Sequence, residues 1–279
     1  MNKIIISLFI FINLNAYNIK EIRKDFFHNV VEKQILKLKT KEEIDNEIKQ
    51  RKKQSILNKK EILRYKEIIF KEVGKKYLQN DEYFSIVNLE KQIYTVLLYI
   101  KEENKFYLIG TDLISSGNMN KETEVKYGED HYFNTPVGVY EVKKGWRSNG
   151  KFKSDNKIIQ SYGSKGRFIY YFGNISQERY NSFNRRRKIN NVKNYKKIND
   201  NLNFAIHSYR NKNQNYKLGS KQSHGCVRMS DELNMFLDDN LVLHKNFFYN
   251  NKWKLKYSNK PNNIKNKDLK GSFLIIINK

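Results

Sequence analysis

The spacing of apolar positions changes once along the chain. Between about residues 17 and 80, Ile19, Ile22, Phe26 and Val30 recur at three- to four-residue intervals, and Ile62, Tyr65, Ile69 and Val73 do the same. That is the period of one helix face, so the segment predicts two or three amphipathic helices. Thr40-Lys-Glu-Glu43 predicts a helix start, because a Thr oxygen and a Glu carboxylate three residues on can satisfy exposed backbone amides reciprocally. From about Asp81 the helical spacing gives way to short runs rich in Ile, Val, Tyr and Phe: "YFSIVNL", "QIYTVLLYI", "KFYLIG", "VGVYEV", "RFIYYF", "FAIH" and the terminal "SFLIIIN". These read as strands. One helix is expected after Met229, with Ser230 as its cap, Asp231 and Glu232 at its positive end, and Leu233, Phe236 and Leu237 on its apolar face. The pattern predicts a mainly β domain over residues 81–279, preceded by a basic helical extension over residues 17–80. The extension is expected to pack on the next domain or on itself; a docking arm for a partner is the alternative.

Two segments fall outside this alternation. Residues 1–16, MNKIIISLFIFINLNA, carry a positive start at Lys3, an apolar run from Ile4 to Ile12 and a small residue, Ala16, in a cleavage-like context. This predicts a secretory signal. The run is shorter than the roughly 20 apolar residues that span a bilayer, so no stable membrane span is expected after cleavage. An uncleaved anchor is the alternative, and the absence of a following cysteine excludes a lipoprotein anchor. The second segment, Asn174 to Asp200, is polar and strongly basic, and predicts a long surface loop.

Composition adds a bound and an ambiguity. With 39% hydrophobic and 14% aromatic residues, the chain can build a core and is not disordered throughout. A formal net charge of +25 favours anionic partners: nucleic acid, acidic lipid or an acidic polymer. Lys, Asn, Ile and Tyr are all abundant, however, and all are spelled by AT-rich codons, so the charge says little about a specific ligand. Export argues against nucleic acid.

The candidate chemistry lies in "SHGCVRMS", Ser223 to Ser230, which holds the chain's only cysteine. In an exported protein a lone cysteine is a buried packing group, an intermolecular bridge or a reactive thiol. A thiol attacks carbonyls as the thiolate and needs a base or cation beside it. His207, His224 and His244 are candidates for that base. Gly225 permits unusual dihedrals and a close approach of backbone amides to a developing oxyanion. Arg228 could neutralise a substrate carboxylate through its planar guanidinium. A metal site of His207, His224 and Cys226 is the competing chemistry, although the His-x-Cys spacing fits no common zinc pattern.

His207, a gap of fifteen residues, then Ser223-His224-Gly225-Cys226-Val227-Arg228 resembles the signature of the L,D-transpeptidase catalytic domain, the YkuD family. "FNTPVGVYEV" resembles that family's Thr-Pro-x-Gly strand, and "FSIVNLEKQIYTVLLY" its opening hairpin. The resemblance implies a β-sandwich domain with one or two short helices and a catalytic cleft. It implies Cys226 as nucleophile, His207 as general base and Ser208 as the group that orients His207 through its backbone carbonyl. Ser223, His224, Gly225 and Arg228 would line the acyl and oxyanion site. The implied substrates are peptidoglycan stem peptides, with a second stem, an outer-membrane lipoprotein or water as acceptor. No metal or organic cofactor is implied. A basic binding protein for an anionic wall polymer is the non-enzymatic alternative.

Overall fold

The computed structural model describes residues 18–118, 134–154, 157–160, 162–181, 196–209, 216–249, 252–253 and 263–278. The expected signal segment lies outside them. No helix among the described residues is long and apolar enough to cross a membrane.

The N-terminal segment is helical. Helix α1 (Ile19–Phe26) runs through a π-helical stretch (Phe27–Glu32) into α2 (Lys33–Ile35). Helix α3 (Lys41–Gln54) begins at the expected capping box: Glu43 N–H donates to Thr40 Oγ1 at 3.1 Å, and Thr40 N–H donates to the Glu43 carboxylate at 3.0 Å. Helix α4 (Lys59–Ile68) starts at a second box, Asn58 with Glu61, that the sequence reading did not single out, and ends in a π-helical turn (Ile69–Val73).

Two mixed sheets follow, consistent with the expected mainly β fold. The larger has the order β3-β2-β1-β13-β4, made of β1 (Glu82–Asn88), β2 (Ile93–Ile100), β3 (Lys105–Leu113), β4 (Gly138–Glu141) and β13 (Lys270–Ile277). The smaller has the order β10-β9-β8-β5, made of β5 (Lys144–Arg147), β8 (Phe168–Asn181), β9 (Lys196–Ser208) and β10 (Val227–Met229). Two short hairpins, β6 (Lys151–Ser154) with β7 (Lys157–Gln160) and β11 (Phe248–Tyr249) with β12 (Lys252–Trp253), lie apart. The expected helix forms as α5 (Asp231–Asp239), with Leu233 N–H donating to Ser230 Oγ at 3.0 Å.

The two-residue period of the strands decides how these layers stack. Tyr83, Val87, Tyr94, Val96, Leu98, Leu274 and Ile276 of the larger sheet share one buried cluster with Phe168, Tyr170, Phe204, Ile206, Val227 and Met229 of the smaller. The intervening residues Phe84, Ile86, Leu97 and Ile275 point to the opposite face, where Tyr65, Ile69 and Val73 cover them. The larger sheet is therefore buried on both sides, by a sheet and by a helix, and β1 and β2 are buried at every position. Phe26 and Val30 of the helical segment belong to the same cluster as the sheets. The Phe26 ring meets Phe236 edge-on at 4.9 Å and fills the space above Gly110, where a Cβ would lie 2.2 Å from it.

The long basic loop expected over residues 174–200 is not a loop at its flanks. Strands β8 and β9 pair antiparallel from Tyr170↔Ile206 out to Asn181↔Lys196, so residues 174–181 and 196–200 are strand; residues 182–195 lie outside the described residues. An antiparallel ladder that starts on buried residues propagates through backbone hydrogen bonds. Polar composition there marks where the hairpin leaves the core, not where pairing stops.

The last turn of α5 carries two carboxylates at the negative end of the helix dipole. Burial works against Asp238, but hydrogen bonds from buried His244 and a two-pronged bond from Arg147, at 2.7 and 3.1 Å, more than offset it and hold its carboxyl below the usual range. Burial and the neighbouring Asp238 charge instead push Asp239 up to about 6. The folded state thus binds a proton that the unfolded state has lost, so stability falls as pH rises from the ordinary carboxylate range through about 6. Asp239→Asn is expected to stabilise the fold at pH 7 by about 1 kcal/mol, with the gain fading near pH 4. Urea unfolding at the two pH values measures it.

Candidate active site

Strand β9 ends at His207–Ser208, and β10 begins directly after Cys226. The two pair in parallel, Val227 with Ile206, Arg228 with His207 and Met229 with Ser208. Ile206, Val227 and Met229 are fully buried between the sheets. The pleat sends the alternate residues His207 and Arg228 to the other face. Cys226 immediately precedes β10, in the bend that leads into it. Cys226 is half-buried and His207 is 4% exposed.

The other flank of the motif is strapped to the chain leaving β3. Arg228 N–H donates to Ser115 O, and Ser115 N–H to Arg228 O, each at 2.8 Å; Ser223 N–H donates to Ser116 O at 2.9 Å. Within the loop, Gly225 N–H donates to Ser223 Oγ at 3.0 Å, while the Ser223 hydroxyl donates to Cys226 O. Gly225 has φ +122°, a region open to glycine, which is what lets the chain close this turn ahead of the cysteine. Thr135, 4% exposed, fixes the turn from outside. Its hydroxyl donates to Gly225 O at 2.7 Å and accepts from Gly117 N–H at 2.8 Å.

The two site histidines adopt opposite tautomers. His207 Nδ1 lies 2.7 Å from Ser208 O. A carbonyl only accepts, so Nδ1 carries a proton, and Nε2 is the nitrogen that holds the lone pair when the ring is neutral. Arg228 Nη2 lies 3.0 Å from His224 Nδ1, and a guanidinium only donates, so here Nδ1 carries the lone pair and Nε2 the proton. The Arg228 guanidinium also lies over the Tyr209 ring, 5.4 Å from its centroid. Burial pushes the Tyr209 hydroxyl up, so the ring stays neutral beside that charge.

The Gly225 N–H, expected to face an oxyanion, donates to Ser223 Oγ in this structure. The Arg228 guanidinium, expected to receive a substrate carboxylate, contacts His224 through Nη2 and the Tyr209 ring. His244 stands apart, fully buried against Phe168, Tyr170 and Phe247 with Asp238. Trp146 lies on β5, at the sheet edge opposite β10. Among the described residues no group of three or more His, Cys, Asp or Glu side chains is placed to hold a metal.

Several supporting residues were not legible from the sequence. Tyr162 packs against the His207 ring at 5.3 Å and is 48% exposed, forming a rim over the histidine. The next residues hold the strand end: Ser164 N–H donates to Ser208 Oγ at 3.1 Å, and Ser164 Oγ donates to Tyr209 O at 2.8 Å. Thr135 carried a signal, its place in Asn-Thr-Pro-Val-Gly, but not the identity of its partners. Thr135→Val keeps the volume and leaves Gly225 O and Gly117 N–H unpaired in a buried place. It is expected to cost about 1–3 kcal/mol, and Thr135→Ser less, in denaturant unfolding.

No curated protein matches the chain in direct sequence comparison. A sequence profile of the L,D-transpeptidase catalytic domain family, YkuD, matches residues 82–239, more than half of the 279 residues. The matched stretch runs from the first residue of β1 to the last of α5 and contains Thr135, His207 and the whole Ser223–Arg228 turn. The helical arm and β13 lie outside it. With that match over the two sheets and the cysteine turn, the chain belongs to the L,D-transpeptidase catalytic domain family.

Proposed function

We propose that this protein is an exported cysteine-dependent L,D-transpeptidase that acts on peptidoglycan stem peptides through a thioester on Cys226. The family supplies the activity class and the peptidoglycan substrate. The observation that supports the residue assignment is the pairing of β9 with β10, which aligns His207 with Arg228, two residues past Cys226, while His207 Nδ1 is held at Ser208 O.

In this reading His207 Nε2 takes the Cys226 thiol proton as the sulfur attacks the carbonyl of an L-centre joined to a D-amino acid. The Ser208 carbonyl holds the imidazole in the tautomer that can do so and stabilises the imidazolium that forms, the third role of a triad. Collapse of the tetrahedral intermediate breaks the bond to the D-residue, whose amine leaves with the proton from His207. The acyl group remains as a thioester. An incoming amine then gives up a proton to His207 and takes the acyl group, restoring the thiol. With water in place of the amine the same site would be an L,D-carboxypeptidase. His224, with its proton on Nε2 and its orientation set by Arg228, lines the acyl site as a hydrogen-bond donor. The apolar run and small-residue end of residues 1–16 support export to the periplasm or the cell wall.

Incubation with disaccharide tetrapeptide, followed by mass spectrometry, is expected to give cross-linked dimer and released D-alanine. Tripeptide alone would assign a carboxypeptidase. Cys226→Ala and His207→Ala are each expected to lower turnover by at least about a thousandfold while the thermal transition persists. Full turnover by Cys226→Ala would refute the thiol mechanism, and loss of activity with a chelator would favour a metal site.

A further inference from the structure

The helical arm precedes the family match, and nothing in the thiol chemistry calls for it. Its helix α3 nevertheless reaches the segment that joins His207 to Cys226. Gln50 Nε2 donates to Leu218 O at 3.2 Å, and Gln54 Nε2 donates to Gly219 O at 2.9 Å and to Lys91 O at 3.2 Å. Gly219 has φ +80°, and a Cβ there would lie 2.0 Å from Gln50 Nε2, so the helix and this turn are fitted to each other. From the other side Gly219 N–H donates to Ile114 O at 2.8 Å, beside the strap that holds Ser223 and Arg228. Leu57, just past α3, packs on the buried cluster of Leu218, Tyr209, Ile93 and Leu113, and Tyr209 is the ring beneath Arg228.

The same helix is anchored at a buried node. Asp112 of β3 is fully buried and accepts from Arg51 Nη1 at 2.7 Å, from Gln34 Nε2 at 2.9 Å and from Ser230 Oγ at 2.9 Å. Arg51 also donates to Gln34 Oε1 at 3.1 Å and to Glu47 at 2.7 Å. Ser230 caps α5 and follows β10 directly. Helix α3 thus bonds directly to the approach at Leu218–Gly219 and, through Asp112 of β3, is linked to the exit at Ser230.

We propose that α3 is a positioning element of the catalytic site, with Gln50 and Gln54 as positioning residues that hold the Leu218–Gly219 turn, and with it the approach to Cys226, in the register where His207 reaches the thiol. This rests on the reading of Cys226 as nucleophile and His207 as its base. A helix that only covers the core would need to hide apolar surface; this one, which precedes the family match, directs two glutamine amides to three turn carbonyls, Lys91, Leu218 and Gly219, that lie within it.

The test is the rate of Cys226 alkylation by iodoacetamide against pH, which reads thiolate formation without any peptidoglycan substrate. Gln50→Met/Gln54→Met keeps the bulk and removes the donors. It is expected to slow alkylation at pH 7 by about fivefold to tenfold and to move the profile to higher pH, in the direction of His207→Ala, with the melting temperature within a few degrees of wild type. Thr40→Ala, which breaks the α3 capping box away from the loop, is expected to lower the melting temperature and keep the wild-type profile. A wild-type profile in the double variant, with His207→Ala slowed, would overturn the positioning role alone. Equal slowing by Thr40→Ala would also overturn it, since the effect would then follow general arm stability. A wild-type profile in His207→Ala would overturn the base assignment and the positioning role together.

Discussion

The structure turns on the short parallel pairing of β9 with β10. Three residue pairs bring His207 and the cysteine turn together across fifteen intervening residues. A pairing this short holds little by itself. It is stable here because it is bounded on every side: the inter-sheet core beneath Ile206, Val227 and Met229, the antiparallel bridge to Ser115, and the Ser164 bonds to the strand end. A one-residue slip would send His207 into the core and Ile206 to the cleft, so the burial of the apolar set specifies the register that the chemistry needs.

Around that pairing, polar groups set geometry more than they add stability. The Asp112 node is a buried ion pair, and such pairs gain little over a well-packed apolar alternative, while loss of one partner costs about 3–5 kcal/mol. Burial works against the Arg51 charge, and the Asp112 and Glu47 carboxylates more than restore it, so the guanidinium stays charged. A node of this kind fixes where three elements meet. The Thr135, Ser223 and Gly225 bonds act likewise at the cysteine, and the Ser208 and Arg228 contacts assign a different proton position to each of the two histidines.

Much of this was readable from the chain because it is local. The period of Ile62, Tyr65, Ile69 and Val73, the Thr40–Glu43 box and the Ser230 cap each depend on residues a few positions apart, and each appears where the spacing puts it. The cysteine motif was readable because its members are adjacent or separated by a short gap. What stayed hidden depends on distant partners. β13 is an interior strand of the larger sheet, between β1 and β4, yet its run of isoleucines gives no neighbour. Gln50 and Gln54 look like solvated helix positions until Leu218 and Gly219 are beside them. The bond from the Gly225 amide to Ser223 was hidden because sequence shows a glycine beside a cysteine and not the serine hydroxyl that accepts from it. The basic hairpin was misread for a related reason, since polar composition was taken to end a ladder that backbone pairing continues.

The central claim is that Cys226 becomes acylated because His207, held by Ser208, accepts its proton. The most direct measurement is intact-protein mass spectrometry of the enzyme quenched in acid shortly after mixing with disaccharide tetrapeptide, followed by peptide mapping. The account predicts a mass gain equal to the donor stem less its terminal D-alanine, located on the peptide containing Cys226, reversed by a thiol or amine, and absent in His207→Ala. An adduct on another residue, or one that forms at the wild-type rate without His207, would contradict it.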